Sequence, residues 1–382
     1  SNGADYHYTM TLIHTQRDKL GGELGSFLRE TMVPAIYCDM AARGWPTSPF
    51  VHPVRESPDD GIRDILDTPR FSTGYAALHH TIGFMPETHM QKPFAERYAS
   101  TRALVESVLA FSIAHGSTIQ ALRREARQQA ACRTRWPVFW QPDFSRPRAP
   151  PFKGFAARYK SSKLGNYQRL WYDRQQPWER EIAFYDRCSV DIEVDTPSAY
   201  LVPRAWREVI ERLSWNKVQW HQLPLDETRP VRTQRITSVT SRATPYEGHL
   251  FHDALELTTQ LKTCLLRAGD CVVPLNQPDA RYAVETLEPQ GHDSFFRWGF
   301  FNSILEKKEH YSDYVFEDLA WDMLQDEPAL MEKFLQWKSQ HPGLVGNQKA
   351  VLDFIFANGK RFAEPGWMRY PVFGLVYAAL RA

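Results

Sequence analysis

The sequence has little cysteine, no excess of either charge and no long apolar run. Its five cysteines (Cys38, Cys132, Cys188, Cys264 and Cys271) are odd in number and contain no C-x-x-C pair, which excludes a zinc finger on spacing. Cys264 and Cys271 flank a predicted strand turn, so a pairing across a tight turn competes with buried free thiols. That choice leaves the redox compartment open. Lys and Arg number 46 against 45 Asp and Glu, and a formal charge of +1 argues against a dedicated nucleic-acid binder. No apolar stretch reaches the roughly 18 residues of a membrane span. No G-x-S-x-G is present and no cysteine sits beside a histidine partner, which argues against a serine or cysteine hydrolase. There is no internal repeat and no low-complexity tract. Ser1-Asn2-Gly3-Ala4-Asp5 has neither an initiator methionine nor a signal-peptide pattern, so the expectation is a processed or truncated product.

What is present is a large apolar and aromatic content. Hydrophobic residues make up 43% and aromatics 13% of 382 residues, enough for two or three domains with a sizeable core. Asp5–Thr15 alternates polar and apolar residues and predicts a strand. Leu20, Leu24, Phe27, Leu28, Met32, Ile36 and Met40 recur at helical spacing, predicting a long amphipathic helix over Lys19–Arg43, strained near Pro34. Thr47–Arg70 reads as a proline-rich loop of the kind that lines sites. A helix is predicted from Phe94 to about Ala131, broken by Gly116, and the arginines from Arg123 to Arg135 read as a solvated face. Trp136–Pro151, rich in proline and aromatics, suggests a boundary. Short strands then dominate to Leu287 in the manner of an antiparallel sandwich, with one helix at Ala205–Leu213. The remainder reads as helices: Phe295–Glu309, Val315–Leu324, Pro328–Gln340 and Asn347–Asn358. The organisation predicted is therefore α/β over 1–135, a linker at 136–165, a β-rich domain over 166–290 and a helical region over 291–382.

The stretch Phe71–Met90 carries the chemistry expected of this chain. Ile82-Gly83-Phe84-Met85 is an apolar run of strand length, and Pro86 is expected to end its ladder. Glu87 and His89 follow, then Lys92 and Arg97 at the start of a helix. A carboxylate there stands at the carboxyl edge of a sheet, where open α/β sheets place ligands. Desolvation after an apolar run would suit Glu87 to general-base work. Tyr75 could donate to a substrate carboxylate or an oxyanion, Arg70 and Arg97 have the fork geometry for a carboxylate, and His89 could orient Glu87. The competing expectations are a packed turn aromatic for Tyr75, salt bridges for both arginines and Lys92, and a helix cap for His89.

Several segments resemble a bacterial branch of the zinc carboxypeptidase (carboxypeptidase A-like) family. They are Phe71-Ser-Thr-Gly-Tyr75 through Glu87-Thr-His-Met90 to Phe94, Ala199–Pro203, Tyr246–His249, Gly269–Pro278, Leu287–Pro289, Asp293–Phe296 and Tyr311–Asp318. The superfamily link rests mainly on the first; the rest look like this branch's C-terminal extension. The resemblance implies the C-terminal half of a carboxypeptidase-like α/β/α sheet domain, followed by the β-rich extension and terminal helices. It also implies a metallocarboxypeptidase that cleaves peptide or amide bonds with a metal-activated water, Glu87 being the general base. Zinc is then expected in the full-length protein. No H-x-x-E ligand motif occurs, since His52-Pro-Val-Arg-Glu56 is one residue too long. Asn2–Tyr6 resembles the segment after the family's later ligand histidine, so the ligands are expected upstream and no metal ligand in this chain. His7 and His14, an odd number apart on one strand, would face opposite sides.

The alternative is a non-catalytic carboxypeptidase-like module that binds peptide or carbohydrate, for which the 12 Trp and 16 Tyr suit stacking. The expected partner is a peptide or peptide-like substrate, with no nucleic acid and no membrane span. An exported, periplasmic or extracellular location is suspected from the resemblance alone.

Overall fold

The computed structural model describes residues 3–306, 310–361 and 366–376, and its fold is mixed α/β with a β-rich extension. The first part is built on a three-stranded sheet. Met10–His14 lies in the middle, parallel to Thr47–Pro49 and antiparallel to Phe84–Thr88. Met10 and Leu12 point into a core made by Leu24, Leu28, Met32, Ile36 and Met40 together with Ala103 and Leu104. The helical spacing of those residues is thus real. The single helix expected over Lys19–Arg43 is not. It is divided into Arg17–Leu20, Gly22–Phe27, a π turn at Leu28–Met32, and Val33–Ala42. Gly21 and Gly22 take φ of 69° and 56°, outside the helical region. The π turn lies just ahead of Pro34, which has no N–H for the ladder. Two further helices, Phe94–Ala114 and Gly116–Cys132, meet at the expected break.

The stretch expected as a linker contains paired strands. Arg135–Asp143 pairs with Arg187–Asp195, and Pro151–Ser161 forms a hairpin with Gln168–Glu181. Trp136, Val138 and Trp140 alternate inward and are buried, which anchors the segment despite its prolines. The long hairpin packs on the segment before the first sheet, where Phe152 shares a small core with Tyr6, Tyr8, Ile62 and Phe184.

The extension is organised by a six-stranded antiparallel sheet, in the order His221–Gln222, Cys271–Pro274, Ala199–Val202, Phe373–Leu375, Glu227–Ser241 and His252–Leu266. Two of its strands run for 15 residues each, longer than the short runs expected. Cys264 and Cys271 sit on two different strands, and all five cysteines are free thiols. Leu78 and Ala130 share one core with Trp136, Tyr200, Val273, Phe296 and Tyr370. A single apolar core therefore crosses the boundaries drawn at 135 and 165. The helix expected at Phe295–Glu309 is instead a series of turns with one 3-10 turn at Asn302–Ile304; Gly299, at φ 79°, interrupts it, and residues 307–309 lie outside the described residues. Helices Asp313–Asp326, Pro328–Gln340 and Gln348–Asn358 enclose their own small core around Phe316, Leu352 and Phe356. Among the described residues no helix is long and apolar enough to cross a membrane.

Candidate active-site edge

Glu87 lies within the edge strand Phe84–Thr88, opposite Thr11. Pro86 does not end this strand. His89 N–H donates to Thr9 O and Thr15 N–H donates to Gly83 O, and the alternation between them places Pro86, opposite Leu12, at a position without ladder bonds. Its missing N–H therefore faces away from the sheet, as an edge strand allows. Glu87 is half-buried rather than at the end of a buried run. It shares a face with Met85, and the Ser72 hydroxyl reaches Met85 Sδ at 3.8 Å. The helix Ser72–Leu78 thus begins over the face that carries Glu87.

The residues after this strand form a charged cluster. His89 is buried, its Nδ1 accepting from Gln91 N–H at 3.1 Å and its Nε2–H donating to Ala4 O at 3.1 Å. The tautomer is set by those two partners. Burial pushes the His89 pKa below its ordinary value, so the ring is neutral at pH 7. Asp5 Oδ1 stands 3.6 Å from His89 Nε2 and has no hydrogen-bond partner, while Asp5 Oδ2 accepts from Arg174 Nε at 2.7 Å. Arg174 also donates to Gln91 Oε1 at 2.6 Å. Burial, with the Asp5 charge, pushes the Tyr172 phenol up to about 12, and its hydroxyl has no hydrogen-bond partner. Lys92 Nζ donates to His7 O at 3.2 Å, and burial lowers its pKa. Asp5, Tyr172 and Arg174 were not visible as site residues in the sequence. The strand Gln168–Glu181 that brings Tyr172 and Arg174 here starts some eighty residues beyond Glu87, and no spacing motif links them.

The other sequence-derived candidates have different surroundings. The Arg97 guanidinium lies 5.8 Å over the Phe94 ring, with Nε buried and without a hydrogen-bond partner. Arg70 faces the extension: its backbone N–H and Nε each donate to Asp293 at 2.8 Å, and it lies over the rings of Phe251 at 4.4 Å and Trp298 at 5.0 Å. The Tyr75 hydroxyl donates to Asn216 Oδ1 at 2.5 Å, and His79 Nε2 lies 3.2 Å from the same oxygen. The structure therefore divides the candidates. His89 belongs with Asp5 and Arg174, and Glu87 precedes it by two residues on the strand, whereas Arg70 and Tyr75 are held by residues of the extension.

Zinc does not fit these residues by themselves. Both His89 nitrogens are committed, Asp5 is paired with Arg174, and among the described residues no group of three or more His, Cys, Asp or Glu could hold a metal. His7 is stacked on Phe155 at 4.3 Å, while His14 Nδ1 sits 2.9 Å from Thr15 O, so the two do not converge. His52 Nε2 is met by the Arg63 guanidinium at 3.0 Å. Elsewhere, a cavity of about 240 Å³ between His14, Tyr37 and Arg148 includes Asp64, whose carboxyl burial pushes up to about 6.

No family model matches the chain, and no solved structure matches it. Curated proteins with similarity to it are carboxypeptidase 2 of Trichophyton equinum and of Trichophyton tonsurans, each 35% identical over 103 residues, and carboxypeptidase 2 of Trichophyton rubrum, 34% identical over 103 residues. Each match covers 27% of this chain and 19% of the relative. The chain thus spans about a fifth of the length of the curated relatives it matches, and over that part it is similar to proteins named as carboxypeptidases.

Proposed function

We propose that this chain is part of a metallocarboxypeptidase that hydrolyses peptide or amide bonds, with Glu87 as its general base. The observation that carries this reading is the partial similarity to carboxypeptidases of a chain whose Glu87 lies on an edge strand, two residues before the His89 of the Asp5–His89–Arg174 cluster. In this role the Glu87 carboxylate takes a proton from the attacking water and passes it to the leaving amine. Arg174 and Lys92 supply positive charge around Asp5 and His89, suited to a peptide carboxylate. The zinc of this reading is held by residues other than those described, and the bacterial branch, the division into a half catalytic domain plus extension, and an extracytoplasmic location belong to the same proposal.

The test is release of the C-terminal residue from peptides with free and with amidated ends, beside metal analysis of the purified protein. Glu87→Gln should lower kcat by about 10²–10⁴-fold with unchanged metal content and circular dichroism. Undiminished turnover in that variant would sink the general-base assignment. The second reading, a non-catalytic binding module, is favoured by a cavity of about 630 Å³ lined by Trp206, His249, Trp298 and Phe300. Peptide or glycan binding without metal or hydrolysis would select it.

A further inference from the structure

The helix Phe94–Ala114 has an unusual distribution of side chains. It buries Ser100, Ala103, Leu104 and Ser107, and leaves Phe94, Tyr98, Val105, Leu109 and Ile113 exposed to between 52% and 83%. With Arg102, whose side chain is 69% exposed, these residues follow one another at intervals of four, four, three, four and four. That spacing runs them down one side of the helix as a stripe that no described residue covers. Five exposed apolar residues in one row on a surface helix, interrupted by a single arginine, mark an interaction site.

The stripe reads the same from either end. A two-fold axis at its centre sets Phe94 against Ile113, Tyr98 against Leu109 and Arg102 against Val105, next to Glu106 of the other helix. Within one chain Arg102 Nε is 2.8 Å from Glu106 Oε1, and Arg43 reaches the same carboxylate at 3.0 Å. Each copy therefore offers a cation and an anion in the order that an antiparallel copy needs. A self-complementary patch is what an isologous dimer requires. We propose that helix Phe94–Ala114 is a homodimer contact, packed antiparallel on the same helix of a second copy of this chain.

The spacing also sets the strength of the contact. Rows spaced mainly by four pack into one another at about −50°, so the helices diverge from the crossing and Phe94 and Ile113 at the ends contribute least. A single helix pair buries well below the ~800 Å² per partner of a stable interface. The dimer is therefore weak and concentration-dependent, and Tyr98, Arg102, Val105 and Leu109 dominate it.

Sedimentation equilibrium from low micromolar to several hundred micromolar protein tests this. The expected result is a monomer–dimer equilibrium whose dissociation constant rises at least ~10-fold in Val105→Lys or Leu109→Lys, ~1.4 kcal/mol or more. Arg102→Glu should weaken it, and Arg102→Glu with Glu106→Lys should restore it. Leu164→Lys, in the exposed hairpin turn, should change nothing. A photoreactive benzoylphenylalanine in place of Tyr98 should capture the Leu109 peptide of an isotopically distinct copy. A monomer throughout the range, a dimer indifferent to the Val105 and Leu109 variants, or capture of a different peptide would each overturn the proposal.

Discussion

Arg70 and Arg174 both hold a buried aspartate, yet their surroundings differ. Both Asp293 oxygens accept hydrogen bonds, although Thr68 Oγ1 and Arg297 Nε nearby have no hydrogen-bond partner. Arg70 donates twice to its carboxylate, Trp298 Nε1 donates at 3.1 Å, and three aromatic rings surround the guanidinium. Burial alone would raise the Asp293 pKa, but the hydrogen bonds and charge of Arg70 outweigh it and hold the carboxyl below its usual range. At Asp5 the account is incomplete. Asp5 Oδ1 and the Tyr172 hydroxyl lack hydrogen-bond partners. Buried polar groups without partners cost about 1–3 kcal/mol each, so a fold keeps them where something else uses them. The two clusters thus differ at the carboxylate itself: both Asp293 oxygens are bonded, whereas Asp5, in contact with the His89 that follows Glu87 by two residues, keeps one oxygen free of hydrogen bonds.

That contrast can be broken by experiment. Asp293→Ala leaves the Arg70 guanidinium buried without its partner, and should cost about 3–5 kcal/mol in denaturant unfolding. A cost under 1 kcal/mol would remove the distinction between the two clusters. Acid should act next. Burial pushes His80 down to about 3 and His292 to about 4. A base whose folded pKa is depressed binds fewer protons when folded, so stability is lost as pH falls from about 6.5 toward those values, by up to ~1.4 kcal/mol per pH unit per histidine. His80→Phe should flatten that slope; an unchanged slope would show that His80 is not the titrating group. Tyr75→Phe gives up one hydrogen bond at a half-exposed site and should cost ~0.5–1.5 kcal/mol, with any larger loss pointing to a role for Tyr75 beyond its tether to Asn216. The smallest change is expected from Asp5→Asn. Arg174 is half-exposed, so stability should move by less than ~1 kcal/mol while turnover of the peptide substrate falls. A large stability loss there would make the Asp5 cluster structural like its counterpart.

Much of the local structure was legible in the residues. The inward spacing of Leu24, Leu28, Met32, Ile36 and Met40, the break at Gly116 and the strand Met10–His14 follow from periodicity and backbone preference. Pro86 was misread because proline forbids a ladder bond only on the side its nitrogen faces, and that side depends on register with a strand seventy residues away. Trp136–Pro151 was misread because its prolines outvoted the alternation of Trp136, Val138 and Trp140. Glu87 and His89 were identifiable as neighbours in the chain, whereas Asp5, Tyr172 and Arg174 join them only through the hairpin Gln168–Glu181.

Residue order alone therefore determined the strand Met10–His14, the helices on either side of Gly116 and those between Asp313 and Asn358, their apolar spacing, and that a carboxylate and an imidazole stand two residues apart. These are properties of a few consecutive residues. Tertiary structure decided which charges meet. It tethered Arg70 to Asp293 and Tyr75 to Asn216, bonded both Asp293 oxygens and left one Asp5 oxygen without a hydrogen bond. Those outcomes depend on pairings between strands far apart in the chain, and on burial that no single segment specifies.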